Sequence, residues 1–139
     1  MSEQKQNLAK KIYLDSYLDI AILKISPEHF PANHQQANLE CNEKPKTGHP
    51  VGAYGHPWGL SYTGTKGIIS GATSEFSSEY LQTDAPINSG NSGGPLISLR
   101  TGKVLGVNTS SYDEDDDQNT NFAELMIYAC RILKLLREG

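Results

Sequence analysis

The sequence predicts an all-β fold, a closed antiparallel barrel followed by one C-terminal α-helix, and three observations carry that expectation. Short apolar runs rich in β-branched and aromatic residues recur from Ile12 onward, glycine and proline punctuate them, and only the last stretch of chain repeats its apolar residues at helical spacing. With 139 residues, 37% of them hydrophobic and 20% charged, the chain is long enough to bury a core of this kind.

Two strands are expected first, Ile12-Tyr13-Leu14 and Ile20 to Ile25, joined by the turn Asp15-Ser16-Tyr17-Leu18. From Ser26 to Gly48 the composition turns polar, and Pro27, Pro31 and Pro45 break any helix, so this segment is predicted to run over the surface as a linker. Further strands follow at Val51 to Tyr54, around Ser61 to Ser70, at Tyr80 to Gln82, at Pro95 to Leu99 and at Lys103 to Asn108. Arg100-Thr101-Gly102 supplies the hairpin turn between the last two. Leu125 to Arg137 reads as an amphipathic helix. Leu125, Tyr128, Ala129, Ile132, Leu135 and Leu136 form its apolar stripe, while Arg131, Lys134 and Arg137 lie outward and suit the helix dipole near its C-terminal end. No internal repeat is present.

Charge narrows the range of partners. The formal net charge of −4 and the scatter of basic residues leave no phosphate-neutralising surface, which argues against nucleic acid. No apolar run reaches the length that spans a bilayer, and the polar start Met-Ser-Glu-Gln-Lys-Gln lacks the core of a signal peptide, so the default location is cytoplasmic. Cys41 and Cys130 permit one disulfide without arguing for it, and no Cys-x-x-Cys is formed, so the redox compartment stays open.

The most informative segment is Asn88-Ser89-Gly90-Asn91-Ser92-Gly93-Gly94-Pro95. Glycines at 90, 93 and 94 allow a tight turn with unusual dihedrals, which exposes Ser92 as a nucleophile and lets the Gly90 and Ser92 amides face a developing oxyanion. The segment lies between Leu81-Gln82-Thr83-Asp84-Ala85 and the apolar run Pro95-Leu96-Ile97. The whole stretch resembles the nucleophile region of HtrA-like proteases, within the chymotrypsin-type serine peptidases. Three further segments agree in chain order: Asp19-Ile20-Ala21-Ile22-Leu23-Lys24-Ile25, Gly52-Ala53-Tyr54-Gly55-His56-Pro57-Trp58-Gly59-Leu60, and Gly102-Lys103-Val104-Leu105-Gly106-Val107-Asn108-Thr109.

The resemblance implies a trypsin-like fold in which residues 1–47 are a remnant of the first barrel with the interdomain linker, residues 48–124 a complete second barrel, and residues 125–139 the helix. No PDZ domain falls within these residues. Ser92 takes the place of the nucleophile and Asp19 that of the triad carboxylate, while Gly90, Asn91 and Ser92 form the oxyanion loop. Pro86 and Ile87 fall at the floor of the primary specificity pocket, and Val107, Asn108 and Thr109 on the strand beside which substrate pairs. With no acidic residue at that floor, a small or medium aliphatic side chain is the expected choice. The implied partner is a peptide or unfolded protein, no cofactor or metal is implied, and relatives often act outside the cytoplasm.

The family's histidine lies upstream of the aspartate, and no residue before Asp19 is histidine. The isolated chain is therefore expected to be nearly inert as a serine endopeptidase unless a complementing chain supplies the missing first-barrel strands and the base, and such a chain or a homo-oligomer is the expected protein partner. The alternative is a non-catalytic module that binds extended peptide.

The remaining polar clusters read as structural. His29, His34, His49 and His56 match no zinc spacing. His56, within Gly-His-Pro-Trp-Gly, takes a position resembling the family's Gly-Asn-Pro-Phe-Gly and is expected in a turn. Asp113, Asp115, Asp117, Asn119, Asn121 and Glu124 fall at calcium-loop spacing, but Gln118 replaces the turn glycine and a strand precedes the run, so a solvated hairpin loop is the favoured reading.

Overall fold

A computed structural model describes residues 9–56, 62–75, 78–88, 90–109 and 121–138. By its contacts the chain divides into two compact units, Met1–Gln36 and Ala37–Gly139.

In the first unit, β1 (Lys10–Asp15) pairs antiparallel with β2 (Ile20–Lys24), Tyr13 opposite Ile22 and Leu14 opposite Ala21, with a bulge between Lys11 and Tyr13. Asp15 builds the connecting turn. Its Oδ1 accepts the backbone N–H groups of Tyr17 at 2.9 Å and Leu18 at 3.0 Å, and its Oδ2 accepts the Tyr13 hydroxyl at 3.1 Å. The Leu18 amide, followed by Tyr13 and Tyr17, holds the Asp15 carboxyl below its ordinary range despite an opposing desolvation effect. A short 3₁₀ turn, Pro27–His29, follows, and Phe30 stacks on His34 at 4.8 Å.

The second unit is a closed barrel of six strands: β3 (Pro50–Gly55), β4 (Thr63–Glu75), β5 (Ser78–Thr83), β6 (Pro95–Ser98), β7 (Val104–Thr109) and β8 (Asn121–Leu125). Around the barrel the order is β3-β4-β5-β8-β7-β6, each of these six pairings is antiparallel, and β6 returns to pair with β3. Closure gives each strand a partner on both sides and removes free edges. Val51, Ala53, Ile69, Leu81, Leu96, Leu105, Ala123 and Leu125, one or more from every strand, meet with Ala85 in the core. Gly102, at φ 74°, closes the β6–β7 hairpin where the sequence places it.

The segment expected to be linker contributes to this unit. Val104 N–H donates to Asn38 O at 2.8 Å and Glu40 N–H to Val104 O at 2.9 Å, so Leu39 pairs parallel to the start of β7. Cys41 is then disulfide-bonded to Cys130, 89 residues away in sequence, on α1 (Met126–Glu138).

Two expectations need correction. Leu125 is the last residue of β8 and not the first of the helix, and Leu135, which the helical stripe places inward, is 69% exposed; Met126 and Ala129 are the buried residues of α1. Asn121 and Glu124 belong to β8 as well. Asn121 is buried with Nδ2 donating to Ala85 O at 3.1 Å, and Glu124 is 1% exposed, which removes two positions from the calcium-loop spacing. The acidic residues 113–117 lie outside the described residues.

Candidate active site

The chain leaves β5 at Thr83, runs through residues 84–88, turns at residues 90–94 and enters β6 at Pro95. Each step is held by polar contacts. Thr83 Oγ1 donates to Ile68 O at 2.7 Å and accepts the Ala85 N–H at 3.1 Å, while Asp84 Oδ1 accepts the Ile68 N–H at 2.7 Å. Pro86 O accepts both the Thr65 hydroxyl at 2.7 Å and Asn91 Nδ2 at 3.2 Å. Pro86 is exposed, and Ile87 is half-buried against the barrel core.

Within the turn, Gly90 and Gly93 adopt φ 106° and 83°, a region an L side chain rarely enters. Asn91 is buried, and its side chain is committed inward: Oδ1 accepts the Asn88 N–H at 2.8 Å while Nδ2 reaches Pro86 O. Ser92 is exposed.

The backbone amides of this loop divide into two sets. Asn91 N–H donates to Asn88 O at 3.2 Å, Gly93 N–H to Asn108 O at 2.7 Å, and Gly94 N–H to Asn91 O at 3.0 Å. Among the described residues, the N–H groups of Gly90 and Ser92 donate to nothing. Among the described residues, two donors flanking Asn91 thus remain available beside the exposed Ser92. That arrangement can receive an oxygen carrying negative charge without first breaking a protein hydrogen bond.

Strand β3 ends against the same loop. His56 N–H donates to Gly90 O at 3.0 Å, and a Cβ built on Gly55 would run into Gly90 O and Asn91, so only glycine permits this approach. The His56 ring makes an edge contact with Tyr62 at 5.2 Å, and Tyr62 stacks on Tyr54 at 5.8 Å. Residues 57–61, which complete the Gly-His-Pro-Trp-Gly segment and continue beyond it, lie outside the described residues.

Of the residues expected to meet substrate on β7, Val107 and Thr109 are half-buried and Asn108 is buried. Asn108 Nδ2 donates to Asn91 O and Pro95 O, each at 3.2 Å, and its backbone N–H donates to Gly94 O at 2.9 Å. Asp19 belongs to the unit Met1–Gln36, where it is exposed at the end of the β1–β2 turn with φ 53°. Among the described residues no three His, Cys, Asp or Glu side chains cluster as a metal site.

A closed antiparallel barrel presenting an exposed serine on a glycine-bounded loop matches the trypsin-like fold. Residues 2–107 match the family model described as a trypsin-like peptidase domain. The chain is 40% identical over 126 residues to the serine protease Do-like HtrA of Bacillus subtilis, covering 83% of this chain and 27% of that protein. It is 39% identical over 137 residues to the serine endoprotease DegS of Salmonella typhimurium, covering 90% of this chain and 37% of that one. Among solved structures, the HtrA-type protease AlgW with a decapeptide superposes at TM-score 0.80 and 30% identity over 97% of this chain and 42% of AlgW. A serine endoprotease from Yersinia pestis gives 0.76 at 35% identity over 92% and 43%. The chain belongs to the trypsin-like peptidase family and is a serine protease domain of HtrA type. It spans only about a quarter to two fifths of the length of these two curated relatives.

Proposed function

We propose that this chain carries the nucleophile of a serine endopeptidase that cleaves peptide bonds through an acyl-enzyme. Ser92 Oγ attacks the peptide carbonyl carbon, the carbonyl oxygen takes up the electron pair, and the Gly90 and Ser92 N–H groups stabilise it. Collapse breaks the C–N bond and leaves acyl-Ser92, which water then hydrolyses. Pro86, Ile87, Val107 and Thr109 line the substrate side, and a peptide or unfolded protein is the substrate. The observation that carries this reading is the pair of open amides beside the exposed Ser92 hydroxyl. AlgW with its decapeptide, a relative of the same fold, supports a peptide as the ligand.

The proton leaving Ser92 needs a base that later hands it to the departing amine, a role that falls to a histidine oriented by Asp19. These 139 residues hold no histidine before Asp19, so the isolated chain is expected to turn over on the order of 10⁶ more slowly than a complete triad. A complementing polypeptide with first-barrel strands and a histidine restores the base. The test is labelling by a biotinylated fluorophosphonate, with the modified residue located by mass spectrometry. Labelling of Ser92 only in the mixture with such a fragment is expected, and none in either sample would overturn the peptidase reading.

A second reading, peptide binding without hydrolysis, draws on the same amides, because holding a carbonyl or carboxylate requires no base. Under it, Ser92→Ala binds peptide as well as the parent does.

A further inference from the structure

We propose that Asn108 is a positioning residue that aims the Ser92 amide; this rests on the reading of Ser92 and Gly90 as oxyanion donors. The C=O of Asn91 and the N–H of Ser92 are the two ends of one planar trans peptide unit and point in opposite directions. Whatever fixes the carbonyl therefore fixes the amide. The Asn91 carbonyl is drawn inward by two donors, Asn108 Nδ2 at 3.2 Å and Gly94 N–H at 3.0 Å, which turns the Ser92 N–H outward.

Asn108 holds both sides of the nucleophile. Its Nδ2 also donates to Pro95 O at 3.2 Å, its carbonyl accepts the Gly93 N–H at 2.7 Å, and its own N–H donates to Gly94 O at 2.9 Å. Asn108 is 2% exposed, and its Oδ1 has no partner among the described residues. Rotating the amide by half a turn would set that oxygen against two carbonyl oxygens, so the orientation is determined by its acceptors. A buried oxygen is left unmatched so that two donors can be delivered to the loop. What the loop uses is the NH₂ group alone, and an isosteric residue without it fails.

The test is NMR on the ¹⁵N-labelled full chain, following the Gly90 and Ser92 amides with Leu81 in the barrel core as the reporter of the fold. The probe is acetyl-Ala-Ala-Leu, whose terminal carboxylate mimics a cleaved product. In the parent, the Gly90 and Ser92 protons move together on titration. In Asn108→Leu the Ser92 resonance of the free protein shifts and peptide affinity drops at least tenfold, while Leu81 stays in place. In Asn108→Asp the ionised carboxylate repels both carbonyls, whereas the protonated acid can donate to one. The Ser92 resonance of that variant therefore returns toward the parent position as pH falls, a pH response the parent lacks and a merely space-filling role would not produce. Should the leucine variant fail to fold, Asn108→Asp and Asn108→Ser carry the comparison. An unchanged Ser92 resonance in folded variants overturns the inference. A shifted Ser92 resonance in the variants, with no peptide response in the parent, keeps Asn108 as the positioning residue and overturns the oxyanion reading instead.

Discussion

His49 Nε2 lies 2.6 Å from Ser98 Oγ, and this serine–histidine pair is structural. Ser98 is 1% exposed, and its Oγ already accepts the N–H groups of Arg100 at 3.2 Å and Thr101 at 3.1 Å. With both lone pairs committed, the hydroxyl hydrogen is directed at His49 Nε2. The pair joins the chain entering β3 to the β6–β7 turn, beside the backbone bond from Leu99 N–H to Pro50 O at 3.0 Å. A buried hydroxyl with no room for substrate cannot act as a nucleophile, whereas Ser92 is exposed.

His49→Ala should therefore act on stability. It leaves a buried hydroxyl without its acceptor, which costs about 1–3 kcal/mol. A drop of roughly 3–8 °C in the melting temperature is expected for a domain of this size. Calorimetry of the variant beside the parent checks this, and equal melting temperatures would remove the pair from the barrel's supports.

The Cys41–Cys130 bond predicts a redox-dependent stability. It fastens the strand-like segment at Leu39, which pairs with β7, to the helix that follows β8. Closing a loop with a sequence separation of 89 constrains the unfolded chain by roughly 4–5 kcal/mol in the loop-entropy account. Reductant should lower the denaturant midpoint of the parent markedly and leave a Cys41→Ser/Cys130→Ser double variant unmoved. Identical midpoints for the parent with and without reductant would show that the bond contributes nothing.

Asp15 predicts the acid behaviour of the β1–β2 turn. Its carboxyl is held below the ordinary value of 3.8, chiefly by the Leu18 N–H, so the folded hairpin prefers the ionised form. The contribution is complete above that ordinary value and is lost as pH falls through the lowered one. The Tyr17 and Leu18 amide resonances should accordingly titrate together with a midpoint below 3.8, and Asp15→Asn should abolish the transition. The Tyr13 hydroxyl, which donates to Asp15, is held above its ordinary 10.0 chiefly by that hydrogen bond. The same hairpin should therefore weaken again at strongly alkaline pH as Tyr13 ionises.

The strands that reach the site were legible because each is a short apolar run bounded by glycine or proline, as Val51 to Tyr54 and Pro95 to Leu99 show. Strand β8 was not, because Asn121-Phe122-Ala123-Glu124-Leu125 adjoins the acidic run and carries two polar residues that read as loop until a barrel buries them. The glycine spacing around Ser92 made a turn with an exposed serine legible. The supports behind it were not: Asn91 to Asn108, His49 to Ser98 and Cys41 to Cys130 are pairings of residues distant in sequence. Composition allows such pairings, and only the closed barrel selects them.

The dependence of the nucleophile loop on β3 can be tested with two glycines that differ in their surroundings. At Gly55 an added Cβ would overlap Gly90 O and Asn91, both backbone-anchored, so the strand end and the loop must separate. Gly55→Ala is expected to cost about 1–3 kcal/mol through overpacking. It should also stretch the bond from His56 N–H to Gly90 O, moving the Ser92 amide resonance along with stability. At Gly71, in β4, a Cβ meets nothing within 4 Å and φ lies outside the positive range, so Gly71→Ala should be neutral or stabilise by about 0.4–1 kcal/mol through the unfolded state. Denaturant melts of both variants with the Ser92 resonance recorded in each decide the matter. If Gly55→Ala behaves like Gly71→Ala, the nucleophile loop does not rest on the end of β3.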